Sequence, residues 1–191
     1  MATPVASRDW LNINVVGTSG SGKSTLARRL AAALGARHVE LDALFWRPGW
    51  QASPDPEFLA RIEAALAQGP WVLDGNYTRT IPVKWREART VIWLDYGFGL
   101  TLWRAARRAL ARSWSRSELW PGSGNRESFR KLFSRDSILL WTLRSHAPTR
   151  RRLEALQRDP RYAHLRFIRL RHPREAEALL AGLASGAVPP R

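Results

Sequence analysis

Nine consecutive residues constrain this chain more than any others: Gly17-Thr18-Ser19-Gly20-Ser21-Gly22-Lys23-Ser24-Thr25. They match the pattern G-x-x-x-x-G-K-[ST]. Glycines let such a loop curl so that successive backbone N–H groups point inward, and a helix that follows adds its positive N-terminus. The loop works only between a strand and a helix, and both flanks fit. Residues 10–16 (WLNINVV) are apolar and β-branched, as in a buried strand. Leu26, Leu30 and Leu34 then recur at helical spacing, and Gly35 stands where a helix would stop. A Gly/Ser turn would match this pattern by chance roughly once per hundred sequences of this length, and the flanks make it rarer still. The expected triphosphate-binding residues are therefore Gly17, Ser19, Gly20, Ser21, Gly22, Lys23, Ser24 and Thr25. Lys23 would reach the β- and γ-phosphates as a catalytic cation, and the Ser24 hydroxyl would ligate magnesium. The cofactors expected are ATP and Mg²⁺.

Strand-like and helix-like segments alternate along the rest of the chain. Further strands are expected at 37–41, 70–73, 90–94 and 164–170, and helices at 54–68, 100–113, 134–157 and 173–183. Five strands alternating with helices predict an α/β domain with a parallel sheet covered on both faces. At 191 residues one domain is expected, spanning 1–191, with an Arg-rich insert at about 113–134. The chain has no cysteine, no long apolar run and no apolar leader near Met1, so a cytoplasmic protein is expected. Monomer and dimer both remain open, as do ATP and GTP.

In parallel sheets ligands lie beyond the carboxyl ends of strands. Asp42 and Asp74 follow two of these ends beside the loop. Such carboxylates hold a metal's waters or an acceptor hydroxyl, although aspartate also caps helices and closes turns. Asp74 is thus a candidate for metal and substrate, and Asp42 for substrate. Asp95 ends a strand too, but Tyr96-Gly97 follows and a turn role is expected. Phe45, Trp46, Trp50 and Tyr77 also follow strand ends. They either stack on a planar acceptor or form a small core under an insert.

The formal charge is +15 at pH 7, carried almost wholly by arginine, with lysine only at 23, 84 and 131. It favours anionic partners. Arg104, Arg108 and Arg112 recur at i, i+4, i+8, where like charges repel and an anion should compensate. In a phosphoryl-transfer enzyme such arginines close over the transferring group. Arg104, Arg108 and Arg135 are the catalytic candidates for that role, with Arg144 as a weaker one. A different reading is a nucleic-acid contact, with Arg among Trp114, Trp120 and Phe129 meeting phosphates and bases.

Leu73-Asp74-Gly75-Asn76-Tyr77-Thr78-Arg79 resembles the LDGFPR-type segment of adenylate kinases, and Arg104 to Arg108 resembles the paired arginines that open their lid. A closer resemblance is to the bacterial adenylate-kinase-related proteins labelled "DNA topology modulation protein". It rests on Leu41 to Trp50, Asp74 to Tyr77, Trp93 to Tyr96, Leu119-Trp120-Pro121-Gly122 and Asn125-Arg126-Glu127. It covers roughly residues 10–180. The resemblance implies a nucleoside-monophosphate-kinase-like P-loop fold with strand order 2-3-1-4-5 and a mobile lid. It implies an acceptor site near Asp42, Trp46, Asp74, Tyr77 and Arg79, and places Arg169 to Pro173 beside the base. Asn76-Tyr77 stands where adenylate kinases have Phe-Pro, and Phe45, Trp46 and Trp50 are unlike an AMP pocket. The expected function is ATP-dependent phosphoryl transfer to an unidentified small acceptor; the alternative is a nucleic-acid-binding regulator that binds ATP.

Overall fold

The structure, a computed structural model, describes residues 10–115, 118, 120, 124–125 and 138–185. Five parallel strands form the central sheet: β1 (Ile13–Gly17), β2 (Arg37–Glu40), β5 (Trp71–Asp74), β6 (Thr90–Leu94) and β7 (Arg166–Leu170), in the order β2-β5-β1-β6-β7. Counted along the chain, that is the expected order 2-3-1-4-5. The first strand starts at Ile13 rather than residue 10, because Asn12 turns the backbone with φ of 55°.

Both faces of the sheet are covered, which is why its strands carry apolar residues at successive positions. On one face Val16, Val39, Leu73, Val91 and Trp93 pack against α2 (Leu41–Phe45), α3 (Asp55–Leu66), α4 (Ile81–Glu87) and α6 (Ile138–Arg158). On the other, Ile13, Val15, Val72, Ile92 and Leu94 meet α1 (Lys23–Leu34) and α7 (Pro173–Ala184). Leu26, Ala27, Leu30 and Ala31 form the buried stripe of α1, and Gly35 ends the helix in the left-handed region at φ 62°. The helix α5 (Phe98–Ser115) lies against α6 and meets the sequence expectation within two residues at each end.

Among the described residues, α2, a two-stranded hairpin and the helix α4 were not expected. Leu41 begins α2 instead of ending a strand, a short antiparallel hairpin follows (β3, Trp46–Arg47; β4, Gln51–Ala52), and α4 lies between β5 and β6. Each is seven residues or shorter, too brief for periodicity to show. Most of the expected insert at 113–134 lies outside the described residues. Among the described residues no helix is long and apolar enough to cross a membrane.

Among the polar side chains buried in this framework, Asn14 and Lys84 bear on the end of β1. Asn14 is fully buried on β1; its amide donates to the Leu73 carbonyl and its oxygen accepts from Trp85 Nε1 at 2.9 Å. Lys84 of α4 is also fully buried, and its Nζ donates to the Gly75 carbonyl at 3.2 Å. Burial pushes its pKa down to about 7, with the Arg152 guanidinium adding to the effect. A lysine that is depressed when folded binds fewer protons than in the unfolded chain between about pH 7 and 10.5, so stability rises with pH across that window. Lys84→Met removes the cost of burying an ammonium, which we expect to raise stability at pH 7 by about 1–3 kcal/mol and to flatten the rise. Urea unfolding of both proteins at pH 7 and 9.5 checks this; a variant less stable at pH 7 contradicts it.

Candidate functional site

The phosphate loop leaves β1 at Gly17 and enters α1 at Lys23. Gly22 caps the helix in the left-handed region (φ 95°, ψ 20°), and no side chain caps the first turn. The first N–H groups of α1 are therefore left for an anion. The loop backbone is held from behind. A Cβ on Gly20 would lie 2.5 Å from the Thr101 carbonyl oxygen and 2.9 Å from the Ala105 Cβ, so only glycine lets the loop seat on α5. The Ser21 hydroxyl is buried in the loop with no hydrogen-bond partner among the described residues. Such an orphaned donor, beside an uncapped helix start, fits a phosphate ligand.

Lys23 is half-buried, and its Nζ donates to the Thr18 carbonyl of its own loop at 3.0 Å. Burial lowers its pKa; Asp74, Asp42 and Glu40 oppose this, and Arg108 reinforces it. An anion entering the loop would compensate the desolvated ammonium. Ser24 is partly buried in the first turn of α1, whereas Thr25 is exposed. Among the described residues no cluster of three or more His, Asp or Glu forms a metal cage. Magnesium commonly takes phosphate and water oxygens with few protein ligands, and the Ser24 hydroxyl is the group that would serve as one here.

The carboxyl ends of β2 and β5 bring three acids toward Lys23. Asp74 is buried, with Oδ2 3.4 Å from His38 Nε2. Asp42 accepts from the Tyr77 hydroxyl at 2.7 Å. Glu40 is the third, held above the ordinary carboxyl range by burial and then by Asp74, while a hydrogen bond from Trp120 opposes the shift. Glu40 was not among the expected site residues, because the strand expected at 37–41 enclosed it, whereas β2 ends at Glu40.

The opposite rim is basic. Arg108 Nη2 donates to the Ser19 hydroxyl at 3.2 Å, and the Arg104 guanidinium lies over the Tyr96 ring at 5.6 Å and beside Gly22. Two of the arginines named from spacing thus stand at the loop. Arg135 lies outside the described residues, and Arg144 is exposed on α6.

The remaining candidates divide. Trp46 packs edge-on against Phe45 at 4.8 Å and Trp50 at 5.6 Å. Phe45 and Phe58 are buried, and Tyr77 packs on them, so these rings form a small core under α2 rather than an open platform. Arg79 covers that core, 4.9 Å from the Phe45 centroid, and pairs with Asp55 at 2.9 Å. Asp95 has a larger structural role than a turn: it pairs with Arg169 at 2.7 Å, and Arg169 also holds Glu154 and stacks on Trp93 at 4.1 Å. His172 caps α7 by accepting from the Arg174 N–H.

Asn76 was not among the expected site residues. Its Oδ1 accepts from the Gly17 N–H at 3.0 Å, and its Nδ2 donates to the Gly17 carbonyl at 2.6 Å. The Gly75 N–H donates to the Val15 carbonyl, so the chain after β5 grips the end of β1 through three hydrogen bonds. Asn76→Ala leaves both Gly17 groups unpaired, and we expect a loss of about 1–3 kcal/mol of unfolding free energy. ADP affinity should fall roughly tenfold, about 1.4 kcal/mol, as the loop loses its anchor. Unfolding and ADP titration measure the two effects; unchanged ADP affinity would show that the loop does not depend on the clamp.

Residues 13–119, more than half of the chain, match a protein-family model described as an AAA domain. A shikimate kinase from Synechococcus sp. (strain RCC307) is 35% identical over 98 residues, which cover 44% of this chain and 50% of that protein. The chain thus spans about half the length of the curated relative it matches. Among solved structures, a gluconokinase from Sinorhizobium meliloti 1021 is 22% identical with a TM-score of 0.48, covering 92% of this chain and 94% of that one. A sugar kinase from Janibacter sp. HTCC2649 is 21% identical with a TM-score of 0.49, covering 93% and 98%.

Proposed function

The chain belongs to the AAA domain family, and from that premise we propose that it is a P-loop kinase that transfers the γ-phosphate of ATP to a small hydroxylated acceptor. The observation that carries the proposal is the arrangement of charge about the loop. Arg104 and Arg108 stand on one side, Glu40, Asp42 and Asp74 on the other, and the desolvated Lys23 lies between them. The match to a protein named a shikimate kinase supports phosphoryl transfer to a small molecule. The finer likeness to the DNA topology modulation proteins, carried by Asp74 to Tyr77 and Leu41 to Trp50, belongs to the same reading.

In this mechanism the acceptor hydroxyl oxygen forms a bond to the γ-phosphorus as the bond from that phosphorus to the β,γ-bridging oxygen breaks. ADP leaves with the electron pair, and the hydroxyl proton passes to a strand-end carboxylate. The main-chain N–H groups of Gly20 to Lys23 and the Lys23 ammonium hold the phosphates in line. Bound Mg²⁺ would neutralise charge on the phosphate oxygens, with Ser24 as its protein ligand and Asp74 positioned to hold its waters. Arg104 and Arg108 offset the negative charge spread over the moving phosphoryl group. Asp42, oriented by Tyr77, and Asp74 receive the acceptor, with Trp46 beside them and Arg79 fixing the aromatic core beneath. Positioning and charge neutralisation, rather than covalent catalysis, supply the acceleration. This reading places the protein in the cytoplasm, where ATP is available.

A second reading is favoured by one feature. Trp103 is 58% exposed and Trp114 85% exposed on α5, and the Arg107 guanidinium lies 5.1 Å from the Trp103 ring. Aromatic and basic groups so placed suit a single-stranded nucleic acid, which would make ATP a regulator rather than a donor. The acids beside the loop favour the kinase, since they would repel a nucleic-acid backbone.

Lys23→Ala tests the kinase reading. ATP turnover with an accepted substrate should fall by roughly 10²–10³ or more, as when a donor to a developing charge is removed, while the circular dichroism spectrum stays that of the parent. A folded variant with full turnover would refute the mechanism.

A further inference from the structure

On the outer edge of β2 lies a cavity of about 550 Å³ that none of the preceding roles explains. That volume falls in the range of small-molecule sites, roughly 300–1,000 Å³. Its walls come from β2, α2, the hairpin and α3, and Trp120 closes one side. Three guanidiniums line it, those of Arg37, Arg47 and Arg61, and Glu40 is the one carboxylate among the described lining residues.

The balance of charge in this cavity is uneven. Arg47 and Arg61 share a single carboxylate, Glu57. Arg61 also donates to the Leu44 carbonyl, which fixes it between α3 and α2. Arg37 holds only the Ala65 carbonyl among its described hydrogen bonds, at 3.0 Å. Three guanidiniums against two carboxylates, Glu57 and Glu40, leave an excess of positive charge in a concave space, which favours an anion. Arginine adds a planar fork that fits carboxylate and phosphate oxygens.

The cavity also connects with the reaction site. Glu40 lines the cavity and is electrostatically coupled to Lys23 of the phosphate loop. His38 lines it too, and reaches Asp74 at 3.4 Å. A ligand bound here would have charged groups at one end and the strand-end acids at the other. Trp120 donates to Glu40 and meets Trp50 edge-on at 6.1 Å, so a residue of the insert joins the wall. Asn125, buried, ties the insert to the hairpin by accepting from the Trp50 N–H and donating to the Arg47 carbonyl.

We propose that this cavity binds the anionic end of the phosphoryl acceptor, between Arg37, Arg47 and Arg61, and that the acceptor is accordingly a small hydroxylated anion, a carboxylate or a phosphate ester. This rests on the phosphoryl transfer proposed above. The acceptor's hydroxyl then lies toward Glu40 and Asp74, and Trp46 and Trp120 flank its carbon frame.

Binding is measured on the full chain by tryptophan fluorescence, since Trp46 and Trp120 line the cavity. The phosphate loop is first saturated with ADP and Mg²⁺, so that an added anion does not occupy it. Malate and glycerol 3-phosphate are the anionic probes, and glycerol the uncharged one. A saturable change with at least one anion and none with glycerol is expected, and which anion binds distinguishes carboxylate from phosphate recognition. In Arg37→Gln and Arg47→Gln the affinity should fall at least about tenfold with ADP affinity unchanged; glutamine keeps a donor at each position. No saturable change with either anion, or undiminished affinity in both variants, overturns the proposal. ATP consumption is read separately. Anion binding without any phosphorylated product removes the kinase reading while the site stands. Phosphorylation of a neutral acceptor with no anion binding overturns the site and leaves the kinase.

Discussion

The arrangement depends on the grip that the chain after β5 holds on the end of β1. Gly75 and Asn76 bond Val15 and Gly17 through main chain and side chain alike, where the strand stops and the phosphate loop begins. A loop of glycines has many conformations open to it, and ordering it costs entropy that a loosely attached turn could not recover. Here both of its ends are fixed. Asn76 fixes Gly17, and the close fit of Gly20 against Thr101 and Ala105 fixes the other side. Beneath the clamp, Asn14 and Lys84 both donate to the Gly75 carbonyl, so two buried polar side chains support one peptide group. Burying Lys84 costs the fold stability, while its Nζ holds the Gly75 carbonyl at the end of β5.

Charge about the loop is distributed to suit an anionic ligand. Lys23 is desolvated and donates to a carbonyl of its own loop, a helix start is uncapped, and a buried serine hydroxyl has no partner among the described residues. Each is a cost in the free protein that a triphosphate would relieve. The acids face these donors across the cleft at the ends of β2 and β5, where a parallel sheet places its ligands. The same logic extends outward to the basic cavity beside β2, where three arginines again exceed their carboxylate partners.

The sheet was legible in the sequence because its signals are long or repeated. The apolar runs of β1, β5 and β6, the leucine stripe of α1 and the G-x-x-x-x-G-K-[ST] pattern each offer several residues to one conclusion. The placement of Lys23, Arg104, Arg108, Asp42 and Asp74 about the loop was legible for the same reason, as motif, spacing or strand end. What was missed depends on tertiary contact. Asn76 reads as an ordinary turn residue, and its importance appears only when Gly17 is brought beside it. Glu40 falls within the strand expected at 37–41, and only the fold shows that it ends β2 with Asp74 and Lys23 as its neighbours. The aromatic residues divided between core and surface by packing that no spacing encodes: Phe45 and Tyr77 went to the core, and Trp50 to the insert. One signal was present in the sequence and unused, a polar Asn14 within an apolar strand, which marks a buried partner.

The central claim is that a phosphoryl group moves from ATP to a small molecule on this loop. The most direct measurement follows γ-labelled ATP with Mg²⁺ and a mixture of small hydroxylated metabolites, separating products after incubation with the full chain. The account predicts label on a new small anion, formed in step with ADP. Label found only on ATP or as inorganic phosphate would contradict it, and would turn attention to the exposed tryptophans and arginines of α5 as a nucleic-acid surface.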